Sequence, residues 1–187
     1  MKNNKWIILI IIGVLLICSS IGLLLYNKYI DNQAGIKSRE IYEKLHDTMN
    51  GNKDVDGSEK IINIDGNAYI GVISIPVLDL ELPVMSECDE KKMKIAPCKY
   101  YGDVNTNDLV ICAHSYKNLF RNIKNLNQGD KVIITDISNQ VYVYEVEVIE
   151  ILAPENVKEM IESEFDLTLY TCTNDNLNRI TVRLNRI

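Results

Sequence analysis

The stretch DLTLYTCTNDNLNR, residues 166–179, decides how this chain is read. Its first half alternates apolar and polar side chains at a period of two, the mark of a β-strand with two unlike faces. Leu167, Leu169 and Thr171 point one way; Thr168, Tyr170 and Cys172 point the other. RITVRL (179–184) then resumes the alternation, with Ile180, Val182 and Leu184 on one face and Arg179, Thr181 and Arg183 on the opposite one. The residues between, NDNLN, are turn formers, so the two strands read as an antiparallel hairpin. If Leu169 meets Val182 and Leu167 meets Leu184, then Cys172 falls opposite Arg179, with Cβ atoms ~4.5–5.5 Å apart. A register shifted by two keeps both faces and separates that pair.

Working outward, the same texture of short β-branched and aromatic runs begins near residue 66. YIGVISIP and LDLELPV read as two strands turned around Pro76 to Leu78, and DLVICAH, KVIITD and VYVYEVEVIEIL supply others. Gly129-Asp130 and Ser138-Asn139 stand where turns are needed. Helical candidates are few. APENVKEMIESE has a proline and acids in its first turn, as helix starts prefer, and a second short helix is expected in SYKNLFRNI. Some seven or eight short strands in about 120 residues, with so few helical crossovers, predict a mainly β fold closed into a barrel.

The front of the chain is different. WIILIIIGVLLICSSIGLLL (6–25) carries no charge between Lys5 and Lys28. Roughly 20 apolar residues at ~1.5 Å rise cross a ~30 Å hydrocarbon core, so the segment reads as a transmembrane helix. It is too long for the ~7–15-residue apolar region of a cleaved signal peptide. A lipoprotein signal does not fit either, because Ile17 stands where a small residue should precede Cys18. Lys2 and Lys5 before the span nearly balance Lys28, Lys37 and Arg39 after it; a short leading tail and a long following domain favour placing that domain outside the cytoplasm. The expected organisation is a cytoplasmic tail (1–5), a transmembrane signal-anchor (6–25), a juxtamembrane helix and linker (26–65) and one folded domain (66–187). In the juxtamembrane part Ile41, Leu45 and Met49 recur every four residues on one side of what reads as a spacer helix, and GNKDVDGSEK (51–60) marks the linker.

Composition narrows the function classes. With 187 residues, 47% hydrophobic and 25% charged, the chain is globular rather than disordered. A formal net charge of -6 gives no footprint for a phosphate backbone, so no nucleic-acid partner is expected. The five cysteines contain no C-x-x-C pair, and His46 and His114 are the only histidines, which removes zinc spacing. One bridge, Cys88 to Cys98, is open to an exported domain; a free external thiol remains in either case.

That leaves the question of which residues carry chemistry. A strand cysteine is ordinarily a small buried hydrophobe. Cys172 lies instead on the face away from the leucines and next to a permanent positive charge, and a cation favours the nucleophilic thiolate. His114 ends the strand DLVICAH and shares a face with Val110 and Cys112. Its unperturbed pKa of about 6.5 suits proton exchange near neutrality. His46, in the charged stalk, reads as a solvent-exposed residue.

LTLYTC resembles the T-L-x-T-C signature of the sortases, the cysteine transpeptidases of Gram-positive cell surfaces, with Thr168, Leu169, Thr171 and Cys172 in register. Arg179 stands where that family carries its arginine, and VICAHS resembles the segment that holds its histidine. YIGVISIPVLDLELPV and FRNIKNLNQGDKVIITD also look like sortase strands and connections, so the resemblance covers about residues 66–187. It implies an eight-stranded sortase barrel behind a single-pass anchor in the cell membrane, with the catalytic domain extracellular. It further implies Cys172 as nucleophile, His114 as acid and base, Arg179 at the oxyanion, and Thr171, Ala113 and Ser115 along the substrate. The implied reaction cleaves an L-P-x-T-G-like motif of a sorting-signal-bearing surface protein between Thr and Gly. A thioester acyl-enzyme then passes the protein to an amine of a peptidoglycan precursor or a pilin.

No cofactor is implied. Some class A members bind calcium, but Glu155, Glu159, Glu162 and Glu164 have the spacing of a solvated helix face. The connection at 153–165 is too short for the helical insertion of class B, and the Asp-Pro-aromatic lid of the pilin-polymerising class is absent. A class D-like enzyme is expected ahead of a class A-like one. Two rivals have other consequences. A non-catalytic membrane-anchored β-domain that scaffolds surface assembly would leave Cys172 inert. An unrelated cysteine peptidase of papain type would place its cysteine at a helix start ahead of its histidine, the reverse of the order here.

Overall fold

A computed structural model describes residues 4–51 and 61–187. Most of the linker GNKDVDGSEK and the first three residues of the expected tail lie outside the described residues. The chain divides into two compact units, residues 1–33 and 34–187. The helix α1 (Asn4–Gly51) runs through both, and its part in the first carries the apolar run, whose side chains from Trp6 through Leu25 are largely exposed. It is the one helix among the described residues long and apolar enough to cross a membrane.

The second unit is built of nine strands: β1 (Ile62–Ile64), β2 (Asn67–Ile75), β3 (Leu80–Met85), β4 (Cys98–Tyr101), β5 (Leu109–Cys112), β6 (Lys131–Asp136), β7 (Val141–Leu152), β8 (Leu167–Cys172) and β9 (Arg179–Arg186). They follow the order β1-β2-β3-β4-β5-β8-β9-β7-β6, and β6 pairs back onto β2. Eight strands, β2 to β9, therefore form a closed barrel, while β1 is a short hairpin strand on β2. Closure removes the unpaired edges that an open sheet leaves. The seam needs Gly71. Its φ of +149° disfavours any other residue, and a Cβ there would stand 2.1 Å from the Thr135 carbonyl oxygen.

The alternation read from the sequence sorts the side chains as expected. Leu109, Ile111 and Ala113 from β5 and its extension, Leu167 and Leu169 from β8, and Ile180, Val182 and Leu184 from β9 all enter the barrel core with Ile73, Val132 and Tyr144. The outer faces of these strands are also covered. Residues 86–97, which include a 3-10 turn at Lys92–Lys94, lie over Cys112 and Tyr170, and the helix α2 (Val157–Ile161) lies over Val110 and Tyr170. Being buried on both sides, β5 reads as a nearly continuous apolar run.

Four features depart from the sequence reading. β1 and β4 were not anticipated: with three and four residues they are too short to show a period. The expected helix at 153–164 contracts to the five residues of α2, and that expected in SYKNLFRNI is a 3-10 helix at Phe120–Asn125. Finally, Ile41, Leu45 and Met49 do not face solvent. Within the second unit they pack with Tyr69, Val72, Met85 and Cys98, so this part of α1 covers the barrel wall as well as leading to it.

Candidate active site

β8 and β9 pair in the register Leu167↔Leu184, Leu169↔Val182 and Cys172↔Arg179. The conditional alignment is thus the observed one, and Cys172 closes β8 directly across from the residue that opens β9. Two threonines flank the cysteine and do different things. Thr173 holds the turn: its N–H donates to the Asn178 carbonyl at 2.9 Å, and its hydroxyl accepts the Asn178 N–H at 3.0 Å. Asp175 adds a bond to the Thr173 hydroxyl and accepts the Leu177 N–H at 3.0 Å, while Asn176 takes the left-handed conformation at φ 60° that turns tolerate. Thr171, buried, donates its hydroxyl to the Ala113 carbonyl at 2.8 Å.

That last bond joins the histidine to the site. β5 and β8 are parallel, with Ile111↔Leu169 and Cys112↔Tyr170, and the Ala113 N–H donates to the Tyr170 carbonyl at 3.3 Å. These two bonds bring Ala113 alongside Tyr170 and Thr171, so that His114 follows the end of β5 on the side of the barrel where Cys172 closes β8. His114 stacks on Tyr116 with centroids 4.8 Å apart at 8°, and its backbone N–H donates to the Met93 carbonyl at 3.1 Å. The Tyr116 N–H returns to the His114 carbonyl at 2.8 Å, so both sides of the imidazole's backbone are fixed. Burial, and secondarily the Lys94 ammonium, hold the His114 pKa below its ordinary value, while Glu90 acts in the opposite direction. Glu90 and Lys94 are themselves paired at 3.0 Å.

The two arginines on the outer face of β9 have opposite surroundings. Arg183 is buried: it meets Glu150 at 2.8 Å through Nε, Thr168 Oγ1 at 3.0 Å and the Met160 carbonyl at 3.3 Å through Nη1, and the Glu159 carbonyl at 2.8 Å through Nη2. It pins α2 to the wall. Arg179 is half-buried, its Nη1 reaches only the adjacent Asn178 carbonyl at 3.2 Å, and no carboxylate partner stands against it among the described residues. Most of its five donors are therefore available to a ligand.

Of the other expected residues, Ala113 is buried and offers only its backbone, and Ser115 is half-exposed with its carbonyl accepting Arg121 Nε at 2.9 Å. The acids near α2 are engaged locally: Glu159 accepts Asn156 Nδ2 at 2.9 Å and Glu162 meets Lys158 at 3.5 Å. No group of three His, Cys, Asp or Glu among the described residues is placed to hold a metal ion. Sequence reasoning missed Met93, Glu90 and Lys94, which reach His114 from a connection with no periodicity to reveal it. Tyr116 was within reach as the aromatic two residues beyond the histidine.

A sortase-domain family model matches residues 73–187. Sortase A of Bacillus anthracis is 31% identical over 129 residues, which cover 64% of this chain and 60% of that protein, so the match spans less than two thirds of the relative. Among solved structures, the Clostridium perfringens sortase D5 transpeptidase superposes with a TM-score of 0.66 at 21% identity, covering 81% of this chain and 98% of that one. Sortase C1 of Streptococcus agalactiae gives 0.57 at 26% identity, covering 67% and 70%. The single long apolar helix ahead of the barrel is consistent with a membrane anchor that leaves the bulk of the barrel domain extracellular. The chain belongs to the sortase family of cysteine transpeptidases.

Proposed function

We propose that this protein cleaves a sorting motif of L-P-x-T-G type between Thr and Gly and transfers the bound surface protein to an amine. The observation that carries the reading is the Cys172↔Arg179 pairing; the parallel β5–β8 pairing, which ends two residues before His114 and Cys172, supports bringing the histidine to it. Cys172 Sγ attacks the threonine carbonyl carbon, and its proton passes to His114, whose depressed pKa keeps the imidazole in the accepting form. The carbonyl oxygen becomes an oxyanion, which the uncommitted Arg179 donors stabilise more strongly than the starting carbonyl. As the tetrahedral species collapses, the C–N bond breaks and the imidazolium returns the proton to the leaving glycine nitrogen. The product is a thioester on Cys172. An incoming amine from a peptidoglycan precursor or a pilin attacks the thioester carbon and gives its proton to His114, and the thiol leaves.

Thr171 acts here by holding the two strand ends together. Ala113 and Ser115 offer backbone groups along the substrate. A class D-like enzyme fits the compact 153–166 connection, whose regular structure is one five-residue helix; a class A-like enzyme is the runner-up. The domain boundaries follow from the same reading, with 66–187 as the catalytic domain, 26–65 as the segment joining it to the anchor at 6–25, and 1–5 as a cytoplasmic tail. The test is incubation with a library of x-P-x-T-G-like peptides followed by mass spectrometry of the intact protein. An acyl adduct on Cys172 that Cys172→Ala abolishes supports the proposal; transfer retained by that variant sinks it.

A further inference from the structure

Three of the external cysteines meet on the outer wall of the barrel, just before His114. Cys98 and Cys112 are direct partners across the β4–β5 ladder, and both are fully buried. Cys88 comes from the β3–β4 connection, is half-exposed, and sets its Sγ 2.9 Å from Cys112 Sγ. That is closer than non-bonded sulfurs ordinarily approach, and beyond the ~2.05 Å of a bond. Cys98 also reaches Cys88, but its thiol donates to the Ala96 carbonyl at 3.4 Å. Tyr170 bonds to the Cys112 sulfur from β8. The three thiols do not form a metal-holding group.

We propose that Cys88 and Cys112 are a redox modification site: outside the cell they close into a disulfide that clamps the β3–β4 connection onto β5, two residues ahead of His114. The alternative pairing weighed from the sequence, Cys88 with Cys98, is not the one the geometry selects. The chemistry follows from which thiol solvent can reach. The thiols of Cys112 and then Cys98 hydrogen-bond to Cys88 and lower its pKa, whereas the same contact and burial raise that of Cys112. Cys88, the one of the three that solvent reaches, is thus the entry point, attacking as its thiolate. It attacks an external disulfide R–S–S–R′, such as that of a secreted thiol–disulfide oxidoreductase or oxidised glutathione. The Cys88–S–SR bond forms and R′S⁻ leaves. Cys112 then gives up its proton and attacks Cys88 Sγ, forming Cys88–Cys112 and releasing RS⁻. Two electrons pass to the external disulfide, and the two thiol protons end on the released thiolates or in solvent.

The clamp acts on a segment that touches the site. Met93 in this connection accepts the His114 N–H, and Glu90 and Lys94 bear on the imidazole. Fixing residue 88 to residue 112 therefore fixes the platform under His114. This consequence for catalysis rests on the transpeptidase reading, but the crosslink does not.

The experiment uses the full chain in detergent, as Cys172→Ala to keep that thiol out of the exchange, equilibrated with oxidised glutathione and then alkylated and digested. The expected product is a Cys88–Cys112 linked peptide, with Cys98 alkylated once the protein is denatured. Cys98→Ser should keep the link and Cys88→Ser should lose it, as should Cys112→Ala. The oxidised form should melt several degrees above the reduced one, as a loop of this size predicts, and trypsin should cut at Lys91, Lys92 and Lys94 severalfold more slowly. Alkylation of all three thiols after oxidant, a link that contains Cys98, or trypsin cutting unchanged by oxidation overturns the proposal. The same oxidised and reduced states with Cys172 restored should differ in peptide transfer. Absence of transfer in both states, with the link present, removes the transpeptidase reading and leaves the crosslink standing.

Discussion

Cys172 and Arg179 face each other across the last rung of the β8–β9 ladder. The pair is held from both ends. Leu167↔Leu184 and Leu169↔Val182 lock the rungs below it into the core, and the Thr173–Asn178 bonds close the turn above it. A slip by one residue would turn the core leucines outward and a slip by two would break the Thr173–Asn178 bonds, so core and turn together enforce the juxtaposition.

Arg179 and Arg183 sit four residues apart on one strand face and should separate function from stability. Arg179→Met is expected to lower kcat for peptide transfer by about 10²–10³ while shifting unfolding free energy by no more than about 0.5 kcal/mol. Arg179→Lys should recover little, since an ammonium lacks the planar fork. Arg183→Met removes four bonds from a buried guanidinium and should cost about 2–4 kcal/mol in urea unfolding. The reverse pattern, with Arg179 governing stability and Arg183 only rate, would refute the assignment.

The pH profile of kcat/KM should carry an acidic limb from His114, because the imidazole must be neutral to take the thiol proton. Lys94 repels the imidazolium and Glu90 attracts it. Lys94→Gln therefore makes protonation easier and should move the limb to higher pH; Glu90→Gln should move it to lower pH. The midpoints belong to the coupled thiol–imidazole pair, so the sign of each displacement is the quantity to read. Two variants with superimposable profiles would show that neither charge acts on the reacting group.

Thr171→Val keeps the shape of the side chain and leaves the Ala113 carbonyl without its 2.8 Å donor. A cost of about 1–3 kcal/mol is expected for the orphaned buried acceptor. Because the bond ties the two strand ends that bear His114 and Cys172, kcat should fall with KM nearly unchanged, and Thr171→Ser should restore most of the loss. A KM effect alone would assign the hydroxyl to substrate instead.

Gly71→Ala tests the barrel seam. The added methyl meets the Thr135 backbone at φ +149°, and about 2–4 kcal/mol of destabilisation is expected from strain and separation of β2 from β6. Hydrogen exchange should report it as faster exchange at Ile73 and Ile134, which face each other across that seam. Wild-type exchange rates there would mean the seam does not depend on this glycine.

The parts of the fold that were legible in the sequence are those written in local period. The faces of β5, β8 and β9 followed from alternation, and the Cys172↔Arg179 register followed from pairing leucine with leucine. The apolar anchor followed from length. What stayed hidden depends on partners distant in the chain. The stripe Ile41, Leu45, Met49 was visible, but nothing nearby says that it covers Tyr69 and Met85. β4 has four residues, and its neighbours Met85 and Cys112 come from separate stretches of sequence. The cysteine cluster stayed hidden for the same reason: Cys88 and Cys98 are close in sequence, yet the sulfur 2.9 Å from that of Cys88 belongs to Cys112, 24 residues away on β5. For the site, residue types and strand parity suggested Cys172, His114 and Arg179, whereas the groups that tune His114 come from an irregular connection.

The parallel pairing of β5 with β8 has a consequence for the order in which this molecule matures. A parallel neighbour is reached only through a long crossover, and here β6, β7 and α2 all intervene between the two strands. Contacts of such sequence separation form late, after the loop entropy of the intervening chain has been overcome. Cys172 and Arg179, seven residues apart in one hairpin, can therefore meet early, whereas Cys172 and His114 are expected to come together only when β5 pairs with β8. If the thiol depends on His114 for its reactivity, labelling of Cys172 should then report the pairing of β5 with β8 rather than formation of the β8–β9 hairpin.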